Sequence, residues 1–458
     1  MNRREFAVKF GSTLMGGIAQ KSWSLQHITQ MAQDHSLEPA EHTLHIRPMT
    51  LDLGSGIQIR TVGYNGTVPG PVLRLKEGAP VEIDVFNDSA NAELVHWHGL
   101  HIDSLNDGAM EEGSPMIPSQ GRLRYSFTPK PAGTRWYHTH TGAGMDFSRS
   151  TYTGQFGFMI VEAAGDAGNY DREVLLAVHH WEPTFMPMGP GQPCEVSYKH
   201  ASFNDKVLSA AEPIKVHQGD RVLFRFLNAS ATENVVLALP GHQFKVIALD
   251  GNPIPHPKEV AVLSLAVAER IDAVVEMNTP GVWILGSTNR KEREIGLGIP
   301  IEYVGSSGQP TWNDPPVSEW NYRIFGGIDA ALPPDETFPM VFQRIAMPNG
   351  APDAWTINGR SFPNIPSLKV KQGQRYRLGF YDASGCSHPV HLHRHSFEVV
   401  SINGQPTSGL IKDVISMTPY GTAEVDFVAD NPGPTLFHCH QQMHMDGGFM
   451  QLIQYVTS

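Results

Sequence analysis

Apolar and polar residues alternate along many short stretches of this chain, and turns rich in glycine, proline, asparagine or aspartate separate the stretches. Residues 72–78, for example, have the order Val-Leu-Arg-Leu-Lys-Glu-Gly, and the alternation continues to a polar turn at 87–89. A period of two residues places every second side chain on the same face of a β-strand. The pattern therefore predicts antiparallel sheets of short strands rather than long helices.

The same stretch returns twice further along the chain. Residues 213–219 have the order Pro-Ile-Lys-Val-His-Gln-Gly, and residues 367–373 have the order Ser-Leu-Lys-Val-Lys-Gln-Gly. Each copy precedes another alternating run. The copies end in glycine at 78, 219 and 373, and repeats this far apart are whole domains. We therefore predict an all-β chain of three consecutive β-sandwich domains, at 40–165, 166–315 and 335–458, with a linker at 316–334.

The composition is typical of a globular chain and excludes some classes of partner. Of the 458 residues, 40% are hydrophobic and 17% are charged, which leaves enough apolar material for several cores. The formal net charge is −12, and an acidic surface repels phosphate, so we expect no nucleic-acid partner. No apolar run approaches the roughly 20 residues that span a bilayer, so we expect no membrane span.

The N-terminal segment has the features of an export signal. Residues 2–9 have the order Asn-Arg-Arg-Glu-Phe-Ala-Val-Lys, and a weakly apolar stretch follows at 10–19. Paired arginines before such a stretch resemble a twin-arginine signal, whose route carries folded, cofactor-loaded proteins. We therefore expect 1–39 to be a signal with an N-terminal lead, and the protein to be periplasmic or extracellular.

Histidines mark the first and third predicted domains but not the second. The pair His96 and His98 corresponds to His391 and His393 in the third repeat, whereas the second repeat has Leu-Ala-Leu-Pro at 237–240. Histidines that served only cores or surfaces would not follow the repeats in this way. The pattern indicates a site that the two outer domains form together.

Four histidine motifs of the form His-x-His recur at matching places of the outer domains, two in each. On a strand, the two imidazoles of such a motif point to the same face. Four motifs can therefore bring eight imidazoles to one junction between the outer domains, enough to hold several metal ions. The eight expected ligands are His96, His98, His138, His140, His391, His393, His438 and His440.

Cys439 lies between two of these histidines, so its side chain should point to the opposite face of the strand. With His388 and His444 it would form a set of two histidines and one cysteine, which is typical of blue-copper electron-transfer sites. Structural zinc sites favour paired cysteines, so zinc fits poorly. The other two cysteines, Cys194 and Cys386, are compatible with a disulfide or with two thiols, and the sequence leaves this open.

These motifs closely resemble those of the multicopper oxidases, the family of laccases, ascorbate oxidase and bacterial copper-tolerance oxidases, over about 40–458. The resemblance implies three cupredoxin-like Greek-key domains and four coppers per chain. It implies a type 1 copper at His388, Cys439 and His444, a type 2 copper at His96 and His391, and a type 3 pair at the other six histidines. Substrate would then give single electrons at type 1, and the three-copper centre would reduce dioxygen to water.

The resemblance also concerns three positions near the ligands. Asp107 follows His98 by nine residues, the spacing of an acid beside the copper cluster in the family, so we expect it to manage protons; a plain Asp-Gly turn is the alternative. Phe449 occupies the axial position of the type 1 site, five residues after His444, and offers no donor atom. Some members have an acid directly after that histidine. Here Asp446 comes one residue later, so it receives no role.

Three functions are open at this point. The first is a laccase-like oxidase of phenols, aromatic amines or similar one-electron donors, with dioxygen as the acceptor. The second is a metallo-oxidase of cuprous, ferrous or manganous ions. Oxidases of Cu(I) often carry dense methionine segments, and the nearest thing here is a set of methionines at 186, 188, 443, 445 and 450. The third is a copper-free relative used as a binding protein, which the complete ligand set disfavours. We expect the first.

Overall fold

The computed structural model describes residues 39–165, 168–186, 196–316 and 320–456. Strands arranged in six sheets make up most of the regular structure in these ranges, and the two α-helices found there have five residues each. The prediction of an all-β chain is confirmed. The expected export signal and Cys194 lie outside the described residues, apart from residue 39.

The first pair of sheets occupies residues 42–162. Its strands are β1 (His42–Gly54), β2 (Ile57–Tyr64), β3 (Leu73–Lys76), β4 (Val81–Asn87), β5 (His96–His98), β6 (Gly121–Phe127), β7 (Gly133–His138) and β8 (Phe156–Glu162). One sheet has the order β2-β1-β4-β6 and the other has the order β3-β8-β7-β5. Strand β3 shows the alternation noted in the sequence, since Leu73 and Leu75 are buried while Arg74 and Lys76 are exposed.

The second pair of sheets occupies residues 172–303. Its elements are β9 (Arg172–Phe185), β10 (Val196–Phe203), β11 (Ile214–Val216), β12 (Arg221–Asn228), β13 (Val235–Ala238), β14 (Phe244–Leu249), β15 (Asn252–Val260), β16 (Leu263–Leu265), β17 (Arg270–Glu276), β18 (Val282–Ser287), α1 (Arg290–Glu294) and β19 (Gly298–Tyr303). The sheet orders are β10-β9-β12-β17-β14-β15 and β11-β19-β18-β13-β16.

The third pair of sheets occupies residues 336–455 and repeats the second in strand order. Its elements are β20 (Glu336–Ile345), β21 (Ala354–Ile357), β22 (Leu368–Val370), β23 (Arg375–Asp382), β24 (His388–Leu392), β25 (Phe397–Ile402), β26 (Gln405–Lys412), β27 (Val414–Met417), β28 (Thr422–Val428), β29 (Thr435–Cys439), α2 (Gln442–Asp446) and β30 (Met450–Tyr455). The sheet orders are β21-β20-β23-β28-β25-β26 and β22-β30-β29-β24-β27.

The apolar cores connect the three sheet pairs. The first pair has its own core, whereas the second and third share one continuous cluster of buried side chains. A further cluster contains Trp136 from the first pair, Trp181 from the second and Val414 from the third. Because apolar burial is the main favourable term in folding, this cluster holds the three units together at one junction.

The three sheet pairs lie inside the three predicted domain ranges, and the boundaries at 165, 315 and 334 stay predictions. Over the described ranges, no helix combines the length and the hydropathy needed to cross a bilayer.

Candidate metal centre

Strand pairing brings the histidine motifs of each outer domain together. In the first domain, β5 pairs with β7 so that His96 lies opposite His138. In the third domain, β24 pairs with β29 so that His391 lies opposite His438. Side chains that lie opposite each other in an antiparallel pair share a face and are close enough to touch. Each outer domain therefore presents a patch of imidazoles.

The two patches meet face to face between the domains. His96 stacks on His393 with ring centroids 4.0 Å apart, and His98 stacks on His391 at 3.8 Å. All eight predicted cluster histidines are buried. The structure therefore brings them into one group to which the first and third domains contribute four rings each; we call this group the eight-histidine cluster.

In several of these rings, a hydrogen bond engages the nitrogen that points away from the centre of the cluster. The Nδ1–H of His96 donates to the carbonyl oxygen of Asp107 at 2.8 Å, and that of His391 donates to the carbonyl oxygen of Asp413 at 2.7 Å. A neutral ring that donates from one nitrogen has a lone pair on the other. Several of these second nitrogens are buried without a hydrogen-bond partner in the described structure: Nε2 of His96, His138, His391 and His440, and Nδ1 of His98.

The lone pairs inside the cluster suit cations. The Nε2 atoms of His393 and His438 lie 3.0 Å apart, and both rings donate from Nδ1 to an oxygen acceptor. Two lone pairs at this distance repel each other unless a cation lies close to both. Burial also lowers the pKa of His140 and His391 to about 3, so these two rings remain neutral. Neutral imidazole is the form that binds metal ions.

Cys439 forms a second, separate site on the other face of β29. Its Sγ lies 3.4 Å from Nδ1 of His444 and 3.6 Å from Nδ1 of His388, and the two nitrogens are 3.0 Å apart. All three side chains are buried. A triangle of this size accommodates one metal ion at bonding distance from each atom, and its donor set is that of a blue-copper site. We call it the Cys439 site.

A short hydrogen-bond chain orients one of its imidazoles. The hydroxyl of Ser384 donates to Oδ1 of Asp382 at 2.6 Å and so can accept the Nε2–H of His388 at 2.7 Å. This leaves Nδ1 of His388 as the metal-binding nitrogen. Neither Ser384 nor Asp382 was a predicted site residue; Asp382 belongs to the polar turn that recurs in every repeat, so its sequence context indicated only a turn.

Aromatic rings enclose the Cys439 site. Trp355 lies 3.8 Å from the His444 ring and Phe449 lies 4.9 Å from the His388 ring, between centroids. Both aromatic side chains are completely buried. Phe449 therefore sits beside the site, and its axial role stays a prediction. Trp355 was missed because it comes from β21, far from the histidine motifs in sequence.

Asp107 reaches the eight-histidine cluster through its carboxylate. Its Oδ2 accepts the Nδ1–H of His393 at 2.8 Å and lies 3.2 Å from Nδ1 of His96. Beside it, Glu112 lies 3.5 Å from the same nitrogen of His393 and accepts the backbone N–H of Leu436 at 2.6 Å. Burial and the charge of Asp107 raise the pKa of Glu112 well above its ordinary value. The sequence carried no signal for Glu112.

Asp413 is a further acid that sequence analysis missed. Its Oδ1 accepts the Nε2–H of His98 at 3.1 Å, so it contacts both a first-domain and, through its carbonyl oxygen, a third-domain histidine. Burial by itself raises the pKa of Asp413, but the charge and hydrogen bonds of Arg270, together with the charges of His391 and Arg135, outweigh burial and hold the pKa below its ordinary value. The acid is therefore ionised and accepts from the ring.

Comparison with known proteins agrees with this geometry. Three models of the multicopper oxidase family match residues 46–166, 178–299 and 334–457, which is one match for each sheet pair. The chain belongs to the multicopper oxidase family. Its members are oxidoreductases that act with dioxygen and bind four coppers, so the eight-histidine cluster and the Cys439 site are compatible with the metal that the family carries.

Similar multicopper oxidases occur in bacteria and fungi. The chain is 28% identical to multicopper oxidase MmcO of Mycobacterium tuberculosis, over 93% of this chain and 89% of the relative. It is 27% identical to a laccase of Trametes maxima, over 86% and 89%. The crystal structure of a multicopper oxidase from Pseudomonas thermotolerans has a TM-score of 0.72 at 25% identity and covers 91% of this chain and 100% of that one. The prediction of cupredoxin-like domains is confirmed.

The turn that carries Asp107 supplies a test of how closely the cluster is packed. Gly108 has φ +86°, and a Cβ there would lie 1.8 Å from the carbonyl oxygen of Val95. Gly113 has φ +94° but open space around its Cβ position. Gly113→Ala should cost about 1–2 kcal/mol for the left-handed backbone alone. Gly108→Ala should cost a further 1–3 kcal/mol for overpacking.

The measurement is the thermal unfolding midpoint of the two copper-free variants, since bound metal would add its own stabilisation. Equal midpoints for Gly108→Ala and Gly113→Ala would show that the turn can move away from β5, and that the position of Asp107 does not depend on Gly108.

Proposed function

We propose that this protein is a laccase-like oxidase. It would couple one-electron oxidation of phenolic, aromatic or similar donors at the Cys439 site to the reduction of dioxygen to water at the eight-histidine cluster. One observation carries the proposal: Cys439 faces His388 and His444, while its two neighbours in the chain, His438 and His440, face the cluster. An electron that enters at the cysteine sulfur reaches a cluster ligand by crossing one residue.

The proposed ligand assignment follows the two groups of side chains. Type 1 is His388, Cys439 and His444, type 2 is His96 and His391, and type 3 is His98, His138, His140, His393, His438 and His440. Bound copper would supply single-electron transfer and the electrons that dioxygen needs. Six of the cluster rings have one nitrogen bonded outward: His96, His98, His138, His391, His393 and His438. Burial keeps bulk water from the rings.

Protons for water formation need a carrier beside the cluster, and we assign this role to Asp107. Its Oδ2 is engaged by His393, whereas Oδ1 is buried and has no hydrogen-bond partner within the described ranges. A carboxylate oxygen in such a position can take up and release a proton next to the reacting oxygen atoms. Glu112 is adjacent, and its Oε2 is buried without a hydrogen-bond partner in the described ranges, 3.9 Å from Nε of Arg394, so Glu112 extends the path by one acid.

We also propose that the protein is exported by the twin-arginine route. The support is the order Asn-Arg-Arg-Glu-Phe-Ala-Val-Lys at 2–9, followed by a weakly apolar stretch. That route carries folded proteins with their cofactors, which suits a protein with two buried metal sites. These residues lie outside the described ranges, so the sequence alone supports this part.

Cys439→Ser tests the central assignment. The copper-loaded protein should be blue because a Cys thiolate–Cu(II) bond absorbs strongly in the visible. The variant should lose the colour and the oxidase activity entirely and still bind copper at the eight-histidine cluster. Cys386→Ser, a second cysteine of the same domain, is the matched control and should stay blue. Visible spectra and copper analysis decide; a colourless native protein with oxidase activity would overturn the proposal.

The surroundings of His444 favour an organic donor over a metal ion. A metal-ion donor needs free oxygen, nitrogen or sulfur ligands near the entry histidine. In the described ranges two acids flank this region, and both have partners: Asp446 accepts the backbone N–H groups of Ala143 and Gly144 at 3.1 and 2.8 Å, and Asp353 pairs with Arg344 at 3.2 Å. The side chains of Met443 and Met445 are buried. Apolar and aromatic side chains pack on the other side of α2.

The metallo-oxidase alternative keeps one supporting observation, which is that solved metallo-oxidases share the fold. The oxidase from Campylobacter jejuni, described as a metallo-oxidase, has a TM-score of 0.70 at 21% identity, over 90% of this chain and 91% of that one. Steady-state oxygen uptake with a phenol and with Cu(I) at matched concentrations separates the two functions. We expect kcat/KM at least about tenfold higher for the phenol, which is a difference of about 1.4 kcal/mol in barrier. A preference for Cu(I) would establish the alternative.

Phe449 should set a high potential at the Cys439 site. A thioether donor at an axial position favours Cu(II), and phenylalanine provides none, so Cu(I) is favoured and poor reductants such as phenols become usable. Phe449 is completely buried beside His388, whereas Met450 is only half-buried and pairs with His438 in the sheet.

Phe449→Met should therefore lower the reduction potential of the copper at the Cys439 site, and Met450→Leu should change that potential less. Redox titration of the blue band in both variants is the measurement. If Met450→Leu produced the larger shift, the axial assignment of Phe449 and the high-potential argument would both be wrong.

A further inference from the structure

Asp413 ties one imidazole of each outer domain to a single residue. Its Oδ1 accepts the Nε2–H of His98 at 3.1 Å, and its carbonyl oxygen accepts the Nδ1–H of His391 at 2.7 Å. These two rings stack on each other at 3.8 Å. The position of Asp413 therefore helps to fix the position of His98 relative to His391.

An arginine of the second domain holds this aspartate in place. Arg270, the first residue of β17, donates from Nη1 to Oδ1 of Asp413 at 2.8 Å and from Nη2 to Oδ2 at 2.6 Å. Arg135 of the first domain lies 3.4 Å from the same carboxylate, and all three side chains are fully buried. A guanidinium fork fixes both the position and the plane of a carboxylate, which a single ammonium group does not.

The chain leaves room for this pair directly after His98. A Cβ at Gly99 would lie 2.7 Å from Oδ2 of Asp413 and 3.0 Å from Nη2 of Arg270. Backbone groups also hold Arg270, because its guanidinium donates to the carbonyl oxygens of Ala268 and Asp250 at 2.9 and 3.1 Å. These contacts leave Arg270 little freedom to turn away from Asp413.

We infer that Arg270 is a positioning residue of the eight-histidine cluster, which acts through Asp413 on His98 and His391. The second domain then takes part in the metal centre although it supplies no ligand. The inference rests on the proposed role of these two histidines as copper ligands. Its effect should spare the Cys439 site, because the described contacts of Asp413 do not include that site.

Domain packing alone is the competing explanation, and Arg225 separates the two. Arg225 lies in the second domain, where it donates to Asp272 at 2.6 Å. It also reaches the first domain, because it donates to the hydroxyl of Thr134 at 2.8 Å. In the described structure, the carboxylates that it binds do not contact a cluster histidine. An effect of packing should therefore appear for both arginines, and an effect of positioning for Arg270 only.

The experiment compares full-length, copper-loaded Arg270→Met and Arg270→Lys with the control Arg225→Met. Chelator titration gives the copper retained per chain, the type 2 signal in electron paramagnetic resonance reports the His96 and His391 site, and the blue band reports the Cys439 site. Arg270→Met should lose cluster copper at about 10–100-fold lower chelator concentration, because Asp413 would lose its fixed position and loss of a direct hydrogen-bond partner of a ligand typically costs this much. Arg270→Lys should fall between this variant and wild type. The blue band should match the control in all three.

Equal chelator resistance and equal type 2 signals in Arg270→Met and Arg225→Met would overturn the inference. If Arg270→Met does not fold, Arg270→Lys decides, and a lysine variant that retains type 2 copper as well as wild type does would also overturn the inference. Failure of the proposed function has a different signature, because the wild-type protein itself would then lack the blue band or oxygen uptake.

Discussion

A buried imidazole has two ring nitrogens, and each of them must meet a hydrogen-bond partner or a metal ion. Eight such rings packed at one junction impose this condition on everything around them. Carbonyl oxygens of Asp107 and Asp413 and carboxylates of the same two residues accept the outward N–H groups. The inward lone pairs are left facing one another, an arrangement that only cations stabilise, and it explains why the two outer domains close on each other with polar rather than apolar side chains here.

The alternation of side chains on β29 explains how two metal sites remain close and yet distinct. Adjacent residues on a strand point to opposite faces, so Cys439 joins His388 and His444 while its neighbours join the cluster. Helix α2 follows β29 and carries His444 to the cysteine, and Asp446 of the same helix accepts the backbone N–H groups of Ala143 and Gly144 of the first domain. The Cys439 site is thus built in the third domain but held against the loop that follows a cluster histidine of the first.

The second domain lacks the His-x-His motifs of the outer domains, and yet it is not peripheral. Its apolar core is continuous with that of the third domain, and its buried charges reach both neighbours. Lys412 of the third domain pairs with Asp250 and Glu269 of the second at 2.9 and 3.0 Å. Buried ion pairs are costly to desolvate and seldom add net stability. Their concentration where three domains meet is therefore better explained by the geometry they impose than by the stability they add.

Sequence alone predicted the strand content, the repeats, the members of the eight-histidine cluster and the opposite orientation of Cys439, because two-residue periodicity and His-x-His spacing are local properties of a strand. His388 and His444 were predicted from the donor set of blue-copper sites and from the resemblance to the family. It did not reveal Glu112, Asp382, Ser384, Trp355, Asp413 or Arg270. Asp382 and Ser384 lie only six and four residues before His388 but in an ordinary polar turn, and the others meet or position the ligands from segments remote in sequence. Acids, serines and arginines in such places are common. Only the tertiary structure could select them, since their role depends on which outward ring nitrogen or carboxylate they meet once three domains have packed together.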